Sequence, residues 1–239
     1  MKIGFTTLGC PDWDLDTICA RAREYGYEGV DFRGLKEDVD VTLRPEFTTE
    51  FEKTKEKLSA FGLQAGINSS LKICDEALLE QNLEEAKRTV PIVAELDIPA
   101  IRVFGGGDAD GHSREELAAV AARTMEAVLD IEGADQLQWV FETHDHWISS
   151  NDCKILLNRI PHPAFGFVWD VGHTSRVGAE SPEETLEILG NRVKHVHLKD
   201  AVYDPDHPQA MKRDGWRYVL PGTGELPLAE AIALLREMN

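Results

Sequence analysis

Short apolar runs rich in Val, Ile and Phe alternate along the whole chain with longer stretches in which apolar residues recur every three or four positions. The short runs have the β-branched content of strands and the longer stretches the period of amphipathic helices. The pattern predicts strands over Lys2–Thr7, Gly29–Arg33, Leu63–Asn68, Ala100–Phe104, Gln138–Glu142, Ala164–Asp170 and Val193–Leu198. It predicts helices over Leu15–Tyr25, Glu46–Phe61, Leu78–Leu96, Arg114–Asp130, Asp152–Ile160, Pro182–Leu189 and Leu228–Met238. Ser113 before Arg114-Glu115-Glu116, and Ser181-Pro182-Glu183-Glu184, are start signals: a capping hydroxyl, then acids where the helix dipole favours them.

Strands alternating with helices fit either a doubly wound sheet or a barrel. No G-x-G-x-x-G follows the first strand, whereas polar residues gather at the C-terminal ends of many strands: Arg33, Asn68, Glu142 with His144, Asp170 with His173, and His197 with Lys199. A barrel brings all such ends around one axis, so the expected fold is α/β, a TIM (β/α)8-type barrel. After Pro221-Gly222-Thr223-Gly224-Glu225-Leu226-Pro227 comes one more amphipathic helix and no eighth strand. The expectation is therefore a single barrel domain, residues 1–239, truncated at its C-terminus and lacking the eighth strand. Its first and seventh strands would be unpaired edges, which favour association into a homo-oligomer.

The 239 residues carry a formal net charge of −18, which repels a phosphate backbone and argues against nucleic-acid partners. No apolar run reaches the length of a bilayer span and the N-terminus has no signal-like segment, so a cytoplasmic protein without a membrane partner is expected. Cys10, Cys19, Cys74 and Cys153 show no C-x-x-C spacing and read as reduced, packing thiols.

The chemistry gathers in the second half. Residues two apart on a strand share a face, which joins Val140 to Glu142 and His195 to His197. Glu142 and Asp170 as oxygen donors with the His197 imidazole, on neighbouring strand ends, suit one divalent cation: manganese first, with magnesium, cobalt and zinc as alternatives. The competing reading of Glu142 is a structural carboxylate paired with a barrel arginine. His195, one layer deeper, reads as a buried histidine bonded to a neighbour, and Arg102 and Asp31 read as partners in the barrel wall. His144, His146 and Trp147 are candidates for contacting a substrate or guarding the entrance, or for a plain surface loop. The long Asp204–Tyr218 stretch suits a lid or a subunit contact. Glu225 reads as a residue at a helix N-terminus, and the alternating charges from Glu50 to Lys57 as a solvated helix face.

The segments Phe141-Glu142-Thr143-His144, Trp169-Asp170-Val171-Gly172-His173, His195-Val196-His197-Leu198-Lys199-Asp200 and Pro221-Gly222-Thr223-Gly224 resemble the sugar phosphate isomerase/epimerase family of the xylose isomerase-like barrels. Ketose 3-epimerases, hydroxypyruvate isomerase and inosose dehydratase are relatives within it. The resemblance implies that Glu142 is a metal ligand and the acid/base, that Asp170 and His197 are further ligands, and that His173 contacts substrate. It also implies a second glutamate on an eighth strand, beyond the last residue here, and an arginine soon after His197, where this chain offers Arg213 and Arg217 only further on. Lys199, His144 and Arg217 complete the expected substrate contacts.

The expected reaction is isomerisation or epimerisation of a sugar or sugar phosphate through an enediolate, with Glu142 exchanging the proton and His173 and Lys199 donating hydrogen bonds. A metal-dependent dehydratase of a ketocyclitol and a non-catalytic sugar-binding barrel are the alternatives. Repair endonuclease chemistry on the same fold is disfavoured by the acidity of the chain.

Overall fold

The computed structural model describes residues 1–238. Seven strands, β1 (Gly4–Thr6), β2 (Gly29–Phe32), β3 (Gln64–Lys72), β4 (Ile101–Phe104), β5 (Trp139–Glu142), β6 (Phe165–Asp170) and β7 (Val193–His197), form one parallel sheet in sequential order. Sequential order is that of a barrel; a doubly wound sheet reverses direction part-way. β1 and β7 are not hydrogen-bonded to each other, so the sheet is an open half-barrel. As expected, no eighth barrel strand occurs among the described residues.

Helices α1 (Leu15–Tyr25), α2 (Phe51–Phe61), α3 (Leu79–Glu95), α4 (Arg114–Leu129), α5 (Ser150–Arg159), α6 (Val171–Arg176), α7 (Pro182–Leu189) and α8 (Leu228–Glu237) complete the layer. Ser113 and Ser181 each close a reciprocal capping box, with Glu116 and Glu184. α2 starts five residues later than the periodicity predicts. Pro45–Phe47 is a separate 3-10 turn, and Thr48 (φ −129°, ψ −95°) breaks the helical path. The lysines of the charged α2 face reach neighbouring helices as well as their own: Lys55 pairs with Glu95, Lys57 with Asp16 and Lys53 with Glu50. The sequence reading also lacks α6, which begins directly where β6 ends.

Strand alternation separates two environments. Outward-facing Ile101, Val103, Trp139, Phe141, Phe165 and Phe167 are fully buried beneath the helices. The edge-to-face ring pairs Phe141–Trp147, Phe141–Phe167 and Phe165–Phe167 pack at 5.7–6.0 Å. Trp147 is therefore a core residue and not an entrance guard. The inner face is polar, with Asp31, Asn68, Arg102, Glu142, Asp170, His195 and His197 in register across the strands. In that face a side chain at Gly66 would collide with the Asp31 carboxylate, and glycine leaves the room.

All four cysteines are buried and free, and burial raises each thiol pKa, Cys19 to about 11. Packing thiols are what the spacing implied. No helix among the described residues is long and apolar enough to cross a membrane.

The stretch after β7 is an antiparallel hairpin, β8 (Asp200–Tyr203) with β9 (Trp216–Val219). Two charged residues fasten it. Asp200, buried, accepts four backbone N–H bonds, from Ala201 (2.9 Å), Gly222 (2.8 Å), Gly224 (2.9 Å) and Leu226 (3.3 Å). These bonds shape the Pro-Gly-Thr-Gly turn, and a Cβ at Gly224 would overlap the Asp200 carboxylate. Arg176 on α6, its side chain fully buried, pairs with Asp214 in the hairpin loop and lies 5.7 Å from the Tyr218 ring. Glu225 sits exposed in the turn, three residues before α8 rather than in its first turn.

Candidate active site

Three strand ends supply the centre. Asp170 and His197 are register partners across β6 and β7, while Glu142 on β5 pairs with Val168, two residues before Asp170. A bulge between Phe167 and Val168 sets the β7 register. Val168 thereby faces His195 instead of Lys194, and both histidines turn inward.

Glu142 is 2% exposed and fully engaged. Its Oε2 accepts from Arg102 Nε (2.7 Å) and Nη2 (2.6 Å), and its Oε1 lies 2.8 Å from His197 Nδ1. Burial alone would raise the carboxyl pKa, but the His197 bond and the Arg102 charge outweigh it and hold Glu142 well below the usual carboxylate range. Arg102 thus pairs with Glu142, not with Asp31 as the sequence suggested. Asp31 Oδ2 instead meets His195 Nε2 at 2.8 Å, across the interior from β2 to β7. That bond links strands near the two free edges of the sheet.

Asp170 has divided duties. Oδ1 accepts from His173 N (3.0 Å) and so caps α6, which explains why a helix starts immediately after the strand. Oδ2 is buried and accepts no hydrogen bond; Lys199 Nζ approaches it to 2.5 Å, outside hydrogen-bonding alignment, and His173 Nδ1 is 3.5 Å away. His173 Nδ1 also lies 3.0 Å from the Thr143 carbonyl oxygen. A carbonyl only accepts, so Nδ1 carries the proton and Nε2 presents a lone pair. Burial lowers the His173 pKa to about 4, and the ring is neutral at pH 7. His173 Nε2 can therefore accept a hydrogen bond in this tautomer, where the sequence reading expected a donor.

The same logic applies to His197. Nδ1 donates to the Glu142 carboxylate, and Nε2 is buried with no hydrogen-bond partner. Two groups have ligand atoms all within 4.8 Å of one another: Glu142, Asp170 and His173, all buried, and Asp31, His195 and His197, half-buried. His197 Nδ1, 2.8 Å from Glu142 and 4.0 Å from Asp170, bridges the two. Carboxylate oxygens of Glu142 and Asp170, the neutral His173 imidazole and the buried His197 Nε2, which has no hydrogen-bond partner, form a donor set that fits a divalent cation.

Of the remaining expected site residues, His144 adjoins this centre and Arg217 is engaged within the hairpin. His144, beside Asp145, packs edge to face on His173 (4.8 Å) and on Phe104 (5.3 Å), and so belongs to the mouth. Arg217 lies on β9, its Nε 3.2 Å from Asp204 across the hairpin.

The sequence profile described as Xylose isomerase-like TIM barrel matches residues 19–239. The chain belongs to this family. Among solved structures it is similar to the probable 3-DHS dehydratase AsbF of Bacillus anthracis, with 20% identity over 99% of this chain and 89% of that one and a TM-score of 0.78. It is also similar to the IOLI protein with a bound zinc atom, with 17% identity over 100% and 86% of the chains and a TM-score of 0.78. A third is the D-allulose 3-epimerase of Methylomonas sp. in complex with D-allulose, with 17% identity over 100% and 80% and a TM-score of 0.71. No curated protein sequence matches. The sequence reading included Glu142 paired with a barrel arginine and His195 bonded to a neighbour; what it lacked are the partners, Arg102 for Glu142 and Asp31 for His195, and the fastening residues Asp200 and Arg176. A charged residue amid an apolar run, as in Ile101-Arg102-Val103 or Val30-Asp31-Phe32, was the available signal, because alternation forces it inward.

Proposed function

We propose that this chain is a divalent-metal-dependent isomerase or epimerase of a sugar or sugar phosphate. The observation that carries the reading is the buried cluster of Glu142, Asp170 and His173 at the strand ends, with His197 against Glu142 and Asp170 and its Nε2 buried without a hydrogen-bond partner. The similarity to an epimerase, a probable dehydratase and a protein with a bound zinc atom supports it at the level of the fold.

Glu142, Asp170 and His197 would hold the ion, manganese by preference. When bound, such an ion withdraws charge from a carbonyl and its neighbouring hydroxyl and acidifies the adjacent C–H. Glu142, ionised at neutral pH, accepts that proton. Arg102 keeps it a weak base and holds it in one orientation, so release of the proton is favourable. The enediolate left behind gains a hydrogen bond from Lys199, while His173 Nε2 accepts one from a substrate hydroxyl and positions it. If the proton comes from C3, delivery of a proton to the opposite face by a second donor yields an epimer; if it comes from C1, its return by Glu142 to C2 yields an aldose. The same intermediate can expel a β-hydroxyl as water, the dehydratase outcome.

The test is metal analysis together with solvent-deuterium incorporation into a panel of ketoses. About one divalent ion per chain is expected, with deuterium entering a ketose and Glu142→Gln slowing incorporation between about a hundredfold and ten thousandfold. Loss of water from a cyclic ketose without exchange into open-chain sugars would move the assignment to dehydration. Metal bound without any exchange would leave a sugar-binding barrel and overturn the catalytic reading.

A further inference from the structure

Arg33 follows β2 and, two residues beyond the inward-facing Asp31, projects at the mouth of the half-barrel. Its backbone is held firmly. Thr7 Oγ1 accepts from Arg33 N (2.9 Å) and donates to the Gly34 carbonyl (2.5 Å), and the turn beyond is closed by paired hydrogen bonds between Leu35 and Asp38. The guanidinium lies 5.3 Å from the centre of the Phe104 ring, which packs on His144, which in turn packs on His173. Arg33, Phe104, His144 and His173 are thus one continuous wall leading to Asp170.

Among the described residues the Arg33 side chain makes no hydrogen bond and no ion pair, and its Nη1 is buried. The two acids that act on its charge are already engaged: Glu85 accepts from Ser70 N (2.6 Å), and Glu142 is held by Arg102 and His197. A buried guanidinium N–H with no acceptor, as at Nη1, is costly in a folded protein unless a ligand or water uses it. A planar fork of N–H donors matches a carboxylate or phosphate. In a chain of net charge −18, an anionic ligand also needs a local cation to approach at all.

We propose that Arg33 is a binding site for an anionic group of the substrate, a carboxylate or a phosphate, at the opposite end of the Phe104–His144–His173 wall from Asp170. The inference rests on the reading of this mouth as a sugar site and narrows the substrate to an acidic or phosphorylated sugar.

The test is NMR titration of the metal-free full chain with inorganic phosphate and, separately, with acetate, following the Arg33 Nε–H resonance. At least one anion is expected to shift it with a dissociation constant in the range of about 1–30 mM. Arg33→Gln is expected to weaken that binding at least about tenfold, and Arg33→Lys, which keeps the charge, to retain part of it. Binding of phosphate alone identifies a phosphoryl group, and of acetate alone a carboxylate. Absence of any shift in the wild-type chain, or affinity unchanged in folded Arg33→Gln, overturns the proposal. Deuterium incorporation reads the function separately: anion binding at Arg33 without sugar exchange sinks the catalytic reading alone, and exchange without anion binding sinks the Arg33 site alone.

Discussion

Replacing Arg102 by Met removes the charge that balances Glu142 while keeping most of the volume. Both groups are buried, with side chains 8% and 2% exposed, and Glu142 Oε2 receives two donors from Arg102 at 2.7 and 2.6 Å. Breaking a buried pair of this kind costs about 3–5 kcal/mol, because the remaining charge keeps its desolvation penalty. The low end, about 3 kcal/mol, is expected here because His197 Nδ1 still reaches Oε1. In a chain of this size that corresponds to roughly 6–12 °C in melting temperature. The assay is urea unfolding at pH 7 with the slope of the transition compared between variants. The double variant Arg102→Met/Glu142→Leu, with no charge left to strand, is expected to recover most of the loss. Acidity gives a second reading. The folded-state pKa of Glu142 is depressed, so its stabilisation is complete above the unfolded carboxyl value of about 4.3 and is lost as pH falls through the folded pKa. Arg102→Met shrinks that acid-side loss. A single-variant cost under about 1 kcal/mol, or a double variant no more stable than the single, would refute the view that Arg102 and Glu142 are a mutually dependent buried pair.

Two further outcomes follow from the hairpin. Gly224→Ala forces a Cβ into the Asp200 carboxylate, and the expected loss of about 1–3 kcal/mol, read by thermal unfolding, should match that of Asp200→Ala, with the double variant little worse than either. Arg176→Met releases Asp214 and Tyr218, so hydrogen exchange over residues 200–219 is expected to quicken while the β4–β6 core stays protected; unchanged hairpin protection would show that Arg176 does not fasten it.

Chain pattern alone carried the alternation of strands and helices, the barrel class, the seven barrel strands and the identity of the polar strand ends. Each is local: apolar period reports which face of an element is buried, and Ser113 and Ser181 report where helices start through bonds made within four residues. Helix α6 escaped because its six residues are too few to show a period, and its cause is the side chain of Asp170, which reads equally well as a ligand. Trp147 escaped because a tryptophan next to histidines in a loop carries no sign of the Phe141 ring that buries it.

Ion pairing was decided only by the assembled sheet. The sequence determines that Asp31, Arg102, Glu142, His195 and His197 face one way on their strands, since side chains alternate. It does not determine which meets which, because that depends on register and on distances across a curved sheet. The bulge between Phe167 and Val168 brings His195 to Asp31 and His197 to Glu142, leaving Arg102 for the other oxygen of Glu142. Slipping the register of β7 by one residue would turn Lys194 and Val196 inward in place of the histidines and erase the site with no change in composition.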